Sequence, residues 1–259
     1  MGLVAFLFGV SGRDELPGAL LVELLGELGL TPAAARQLFA RMRDRGQLAG
    51  RREGRRTHHR LVGAIAAQVA AVRAPPRSPP AWDGRFHAVL HHVPERERAF
   101  RDRLRRVAGL LGYGSVQPGV LIAVADRGAD LDAALGPVPA GAAVRHARLV
   151  LADDDLAGAA ATAWDLGALA DDLRVHHVAV RAALAETDDP PATADTLRRL
   201  AALTNRATVD LLRDPGLPPA LRPPGWPADA LRADLGALAV RWSSPVRTYL
   251  DARAAAHGA

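Results

Sequence analysis

Apolar residues recur at helical spacing three times before residue 46, and then the period changes. Residues 2–9, GLVAFLFG, read as a short apolar helix. Between Pro17 and Leu28 the apolar set Leu20, Leu21, Leu24, Leu25 and Leu28 follows the i, i+3, i+4 rule, which predicts a second helix with one buried stripe. The third segment, residues 29–48, carries its own start and stop. Thr31 suits the N-cap, Pro32 the first helical position, and Gly46 the left-handed residue just past the end. Only Gly29 and Leu30 separate the last two helices, so they form a tight helix-turn-helix.

Strand character follows. Leu48–Arg52 and Thr57–Leu61 flank the turn EGRR, in which Gly54 supplies a positive-φ position. Helix, helix, helix, hairpin is the order of a winged helix-turn-helix, whose third helix enters the major groove while the hairpin lies along a phosphate track. A helical wheel of residues 31–45 puts Ala34, Ala35, Leu38, Phe39 and Met42 on the core side. The opposite face holds Ala33, Arg36, Gln37, Ala40, Arg43 and Asp44, with Arg41 beside it. Small residues at 33 and 40 let a helix lie deep in a groove. Arg36 suits guanine, Gln37 suits adenine, and an alanine methyl meets thymine's. The Thr31 terminus offers backbone N–H groups to a phosphate. The competing reading is an ordinary amphipathic surface helix, for which arginine is simply a good helix former.

Beyond residue 61 the pattern implies a second architecture. The proline-rich stretch RAPPRSPPAW, residues 73–82, cannot continue a helix or a central strand and reads as a semi-rigid linker. Then come a strand (RFHAVLHHV), a helix with Phe100, Leu104, Val107 and Leu111 along one face, and a short strand at 115–117. A buried-type strand (VLIAVA), a short helix from Asp130 to Leu135 and a strand (RHARLVLA) complete a β-α-β-β-α-β order. Near residues 151–158 the strand pattern gives way to a helical one that dominates the remaining chain.

Composition narrows the function. The 259 residues are 49% hydrophobic, too apolar for a disordered chain, yet no apolar run approaches the roughly 20 residues of a membrane span. The apolar start lacks a basic flank and a cleavage site, so no signal peptide is expected. The absence of cysteine removes disulfides and thiol chemistry and fits a cytoplasmic protein. All 33 basic residues are arginine, and their distribution matters more than the formal net charge of +5. Residues 36–60 carry a net +7, whereas residues 151–190 carry a net −7. One part of the chain suits phosphates and the other does not.

Four places in the sequence invite sharper chemical readings. His91 and His92 alternate on a strand and point to opposite faces, so they do not readily share a metal ion. Asp153, Asp154 and Asp155 suit a hard cation, but a helix N-terminus wants acids there anyway. His58 and His59 alternate on the hairpin's second strand; one adds charge near DNA at low pH, or serves as a structural aromatic. In ERERAFRDRLRR the acids interleave with arginines at helical spacing, which points to intrahelical pairs. No metal site and no cofactor are expected.

Three ordered blocks carry a family resemblance. Residues 30–61, LTPAAARQLFARMRDRGQLAGRREGRRTHHRL, resemble the N-terminal domain of the PaaX family of bacterial phenylacetate-type transcriptional repressors. Residues 82–125, from WDGRFHAVLHHVPERERAF to VLIAVA, are similar to the central signature of that family, and LLRDPGLPPALRPPGWPADALR at 211–232 to its third. The resemblance implies operator DNA as partner. Thr31, Ala33, Arg36, Gln37, Ala40 and Arg41 would lie on the reading helix, and Arg51, Arg52, Arg55, Arg56 and His58 on the wing. It also implies a homodimer supported by a ferredoxin-like central domain. The C-terminal helices would help sense an effector, in this family an aromatic acyl-CoA thioester that releases the protein from DNA. The chain departs from the pattern at Gln47, where a tryptophan is usual, and at His58 and His59, where two tyrosines are usual. Asn205 and Arg206 stand in place of a His-Glu pair.

The expected fold is therefore α+β and multidomain. A winged helix-turn-helix covers residues 1–74, a proline-rich linker 75–81, a ferredoxin-like domain 82–152, and a helical effector-sensing and dimerisation domain 153–259. The expected function is a sequence-specific DNA-binding repressor, not an enzyme. The alternative is a ferredoxin-like metal-dependent nuclease or another nucleic-acid-processing protein. That chemistry needs an aspartate at the end of the first central strand, where this chain has His91, His92 and Val93 and no acid before Glu95.

Overall fold

The computed structural model describes residues 2–54, 56–73 and 82–257. The linker expected at 75–81 and Arg55 of the hairpin turn lie outside the described residues. The chain is α+β, with helical N- and C-terminal parts and a central sheet. Its contacts gather into two compact units. One comprises Met1–Arg77, Val175–Val209 and Ala230–Ala259, and the other Ser78–Arg174 and Asp210–Asp229. The segment read from sequence as one C-terminal stretch, 153–259, is thus distributed over both.

In the first unit, α1 (Leu3–Ser11), α2 (Gly18–Glu27) and α3 (Pro32–Asp44) precede the hairpin of β2 (Leu48–Glu53) and β3 (Arg56–Leu61), and α4 (Gly63–Arg73) follows it. Leu7, Phe8, Leu20, Leu21, Leu24 and Leu25 are almost fully buried, as the apolar stripe of the second helix requires. A two-residue strand, β1 (Leu16–Pro17), pairs antiparallel with β3 and makes a three-stranded sheet in the order β1-β3-β2. Two residues carry no periodicity, so β1 is not among the elements expected from sequence, and neither is the eleven-residue α4. In the same unit, α10 (Ala228–Ala256) is joined to α2 near its C-terminus, where Glu23 pairs with Arg253 and His257 and the Tyr249 hydroxyl donates to Glu27.

The second unit holds β4 (Phe86–His92), α5 (Arg98–Leu110), β5 (Gly114–Gln117), β6 (Val120–Ala123), α6 (Gly128–Leu135) and β7 (Ala143–Leu149). This is the β-α-β-β-α-β order expected from sequence. The sheet runs β5-β6-β4-β7, and every neighbouring pair is antiparallel. Alternation along β4 sends Val89 to one face and Phe86 and Ala88 to the other. On the first face, Phe100 and Leu104 of α5 and Leu131 and Leu135 of α6 close over Val89 and Leu121. On the second, Ala160 of α7 (Asp153–Trp164) packs with Leu217 and Leu221 over Phe86 and Ile122. Among the described residues, no helix is long and apolar enough to cross a membrane.

Candidate nucleic-acid interface

Helix α3 is built from the terminus the sequence encodes. The Thr31 hydroxyl accepts a hydrogen bond from the Ala34 N–H at 3.2 Å, Pro32 opens the first turn, and Gly46 adopts φ 62° just after the helix. Ala35, Phe39 and Met42 are buried, whereas Thr31, Ala33, Arg36, Gln37 and Arg41 are exposed and Ala40 is half-buried. The structure therefore gathers the six expected helix positions on the outward side of α3. Arg36 lies toward the edge of that face, where it lines a cavity with Arg43 and with Arg56 of β3.

The hairpin pairs Arg51 with His58, Arg52 with Thr57 and Glu53 with Arg56 across the two strands, and Gly54 turns the chain at φ 59°. Its arginines are not equivalent. Arg51 reaches Glu15 at 3.3 Å and Glu53 at 3.1 Å, and the hydrogen bond to Glu15 raises its pKa above the ordinary arginine value. Much of the Arg51 charge is thus answered within the protein. Arg52 is exposed and donates to the Gly54 carbonyl at 3.3 Å. His58 is half-buried, with its ring 4.0 Å from Glu53.

His59 behaves differently from its neighbour. It is 4% exposed and packs on Phe39 of α3, and burial, followed by the Arg43 charge, holds its pKa below the ordinary histidine value. The two readings left open from sequence are thus separated by strand alternation: His59 is a structural aromatic, and His58 faces the charged side.

The central unit brings together residues that sequence reading did not single out. The Tyr113 hydroxyl lies 2.6 Å from His87 Nδ1, while His87 Nε2 faces Asp126 at 3.3 Å. A carboxylate only accepts, so the imidazole proton belongs on Nε2 and Nδ1 accepts from the phenol. His146, bonded to Asp132 at 2.9 Å, stacks on His87 with centroids 5.4 Å apart. The only sequence signal was a histidine at a core position of β4. His91 is half-buried and His92 exposed, on opposite faces as expected. Asp153, Asp154 and Asp155 form the first turn of α7. Among the described residues, no group of three histidine, aspartate or glutamate side chains is arranged to hold a metal ion.

The block at 211–232 has a structural use in the same unit. Leu217, Leu221 and Trp226 pack on the sheet's second face beside Trp82. Arg213 bridges the buried Asp210 at 3.0 Å and Asp172 at 2.9 Å. Asn205 and Arg206, the departures on α9 (Ala194–Leu211), are half-buried and exposed respectively.

Comparison with known proteins agrees with this architecture. Residues 79–153 match the family described as PaaX protein central Cas2-like domain. Among solved structures, the chain is similar to the uncharacterized protein Rv0674 from Mycobacterium tuberculosis. The two share 21% identity over 96% of this chain and 97% of that one, with a TM-score of 0.59, a likeness of fold. A comparison with curated proteins gives no match. Residues 79–153 are thus similar to the PaaX central Cas2-like domain, and the match is confined to that part of the chain.

Proposed function

We propose that this protein is a DNA-binding transcriptional regulator, a repressor that a small effector such as an aromatic acyl-CoA releases from its operator. Residues 1–74 act as a winged helix-turn-helix, with Arg36, Gln37 and Arg41 among the base-facing side chains of α3 and Arg52 and Arg56 on the wing. Arg55 belongs to the same wing by its place in the sequence. The 82–152 domain supports a homodimer that presents two such helices to a two-fold operator, and the 153–259 helices sense the effector. The observation that carries this reading is the outward row Ala33, Arg36, Gln37 and Arg41 on a capped helix, next to an arginine-bearing hairpin in the same unit. Phosphate-facing arginines supply affinity and register, whereas α3 supplies choice of sequence.

Binding of the full chain to a labelled fragment from upstream of its own operon, in excess non-specific competitor, tests the proposal. Arg36→Ala with Gln37→Ala should remove sequence preference, since a bidentate base contact contributes about 1–3 kcal/mol of discrimination. Unchanged preference in that double variant sinks the assignment of the reading helix. The description of the central domain as Cas2-like keeps a metal-dependent nuclease as the competing reading. Metal-dependent loss of a nucleic-acid substrate would favour it.

A further inference from the structure

Among the described residues, many surface arginines have a carboxylate nearby, and the three of α3, Arg36, Arg41 and Arg43, have none. Among the described residues, neither Arg36 nor Arg43 has an ion-pair partner, although both sit two turns apart on the same edge of the helix. They line a cavity of about 520 Å³ together with Arg56 of β3, and among the described residues no acidic side chain contributes to its wall. Phe39, Val22 and Pro17 supply an apolar side, and the Thr57 residue of β3 and the first turn of α2 supply a polar one. Of the two histidines in the wall, His59 is buried against Phe39 and His257 is already bonded to Glu23. Arg36 and Arg43, facing one concavity, repel one another, and an anion placed between them relieves that repulsion while accepting charge-assisted hydrogen bonds. The volume falls within the roughly 300–1,000 Å³ of small-molecule sites, larger than one bare phosphate needs.

We infer that the cleft bounded by Arg36, Arg43 and Arg56 is a seat for a phosphate-type oxyanion, supplied by the DNA backbone or by a free phosphorylated ligand that competes with it. Competition with DNA rests on the proposed DNA-binding function, because Arg36 and Arg56 are shared between the two surfaces. Occupancy of the seat by a free anion does not.

Calorimetric titration of the full chain with pyrophosphate at fixed ionic strength tests the seat without DNA. The expected result is saturable binding that Arg43→Gln weakens about tenfold, the worth of a charged hydrogen bond. Arg43→Lys should recover part of it, and Arg145→Gln, an exposed change in the other unit, should not alter it. A second arm measures binding to a non-specific duplex. If Arg43→Gln leaves pyrophosphate untouched but weakens duplex binding and lowers the salt slope by about one, the seat takes backbone phosphate. If pyrophosphate displaces duplex from the wild type at fixed ionic strength and not from Arg43→Gln, the free ligand shares the seat. Equal behaviour of Arg43→Gln and Arg145→Gln in both arms overturns the inference. Pyrophosphate binding sensitive to residue 43 in a chain that binds no duplex keeps the seat and removes the DNA-binding reading instead.

Discussion

The imidazole of His59 lies against the ring of Phe39, centroids 5.0 Å apart and planes tilted by 43°. This contact joins the second hairpin strand to α3, so the element proposed to read bases and the one proposed to grip phosphates move as one piece. Gly18 is equally constrained, since a Cβ there would stand 3.1 Å from the His59 ring.

That burial predicts an acid-sensitive first unit. The unfolded chain protonates this imidazole near 6.5, whereas in the folded chain burial and Arg43 delay protonation to lower pH. Between those two values the unfolded state binds more protons, so stability falls as pH drops below 6.5 and levels off beneath the folded pKa. His59→Leu should flatten part of that acid loss in thermal melts measured at a series of pH values. His92→Leu, an exposed change on β4, should leave it as steep as in the wild type. Equal slopes for wild type and His59→Leu would refute the assignment.

Tyrosine ionisation reports both units at once, because the chain has only two tyrosines. Burial is the first cause at each: it pushes Tyr113 up to about 12, and it raises Tyr249 further, aided by the hydrogen bond to Glu27. Ultraviolet titration of the folded protein should therefore show no tyrosinate step at the ordinary value of 10.0. A full one-tyrosine step there contradicts one of the two buried hydroxyls. Tyr113→Phe should in addition destabilise the fold by about 1–3 kcal/mol in denaturant melts, the cost of leaving His87 Nδ1 buried without its donor.

The unequal wing arginines make a graded prediction for DNA. Arg52→Ala should weaken binding to all sequences alike and lower the salt slope by about one, as a phosphate contact does. Arg51→Ala should do less, because Glu15 and Glu53 already answer that charge. Glu53→Gln should strengthen non-specific binding by freeing Arg51. Salt-dependent binding curves for the three variants give the order, and an Arg51 effect larger than that of Arg52 would contradict it.

Gly114 is the most confined glycine of the central sheet. A Cβ there would lie 2.7 Å from the Ala163 carbonyl carbon, nearer still to its oxygen, and 2.8 Å from the Trp164 ring. Backbone cannot give way as a flexible side chain does, so α7 must shift from β5. Gly114→Ala should cost about 1–3 kcal/mol, the usual range for overpacking, in a chemical denaturation curve. Gly109→Ala, whose added Cβ meets nothing within 4 Å, is the matched control and should be neutral or stabilising.

Much of this protein was legible in its sequence because burial imposes local periods. The stripe of Ala35, Phe39 and Met42 fixed which side of α3 faces outward, Thr31 and Gly46 marked its ends, and Gly54 marked the hairpin turn. The alternation in β4 and the helical spacing of Phe100 and Leu104 were enough to write the central order of strands and helices. These signals survive without tertiary knowledge, since each compares residues one or two turns apart.

What only the tertiary structure decided are relations between distant residues. Glu15 neutralises Arg51 from 36 residues away, and Tyr113 meets His87 across 26. Leu16 finds β3 through a pairing too short to leave a pattern. The division of the C-terminal stretch between two units belongs to the same class. A composition that counts every arginine as free positive charge misses the difference between Arg51, answered by two carboxylates, and Arg43, which has none among the described residues. Charge becomes chemistry only when the chain has closed and each group has met, or failed to meet, its counter-charge.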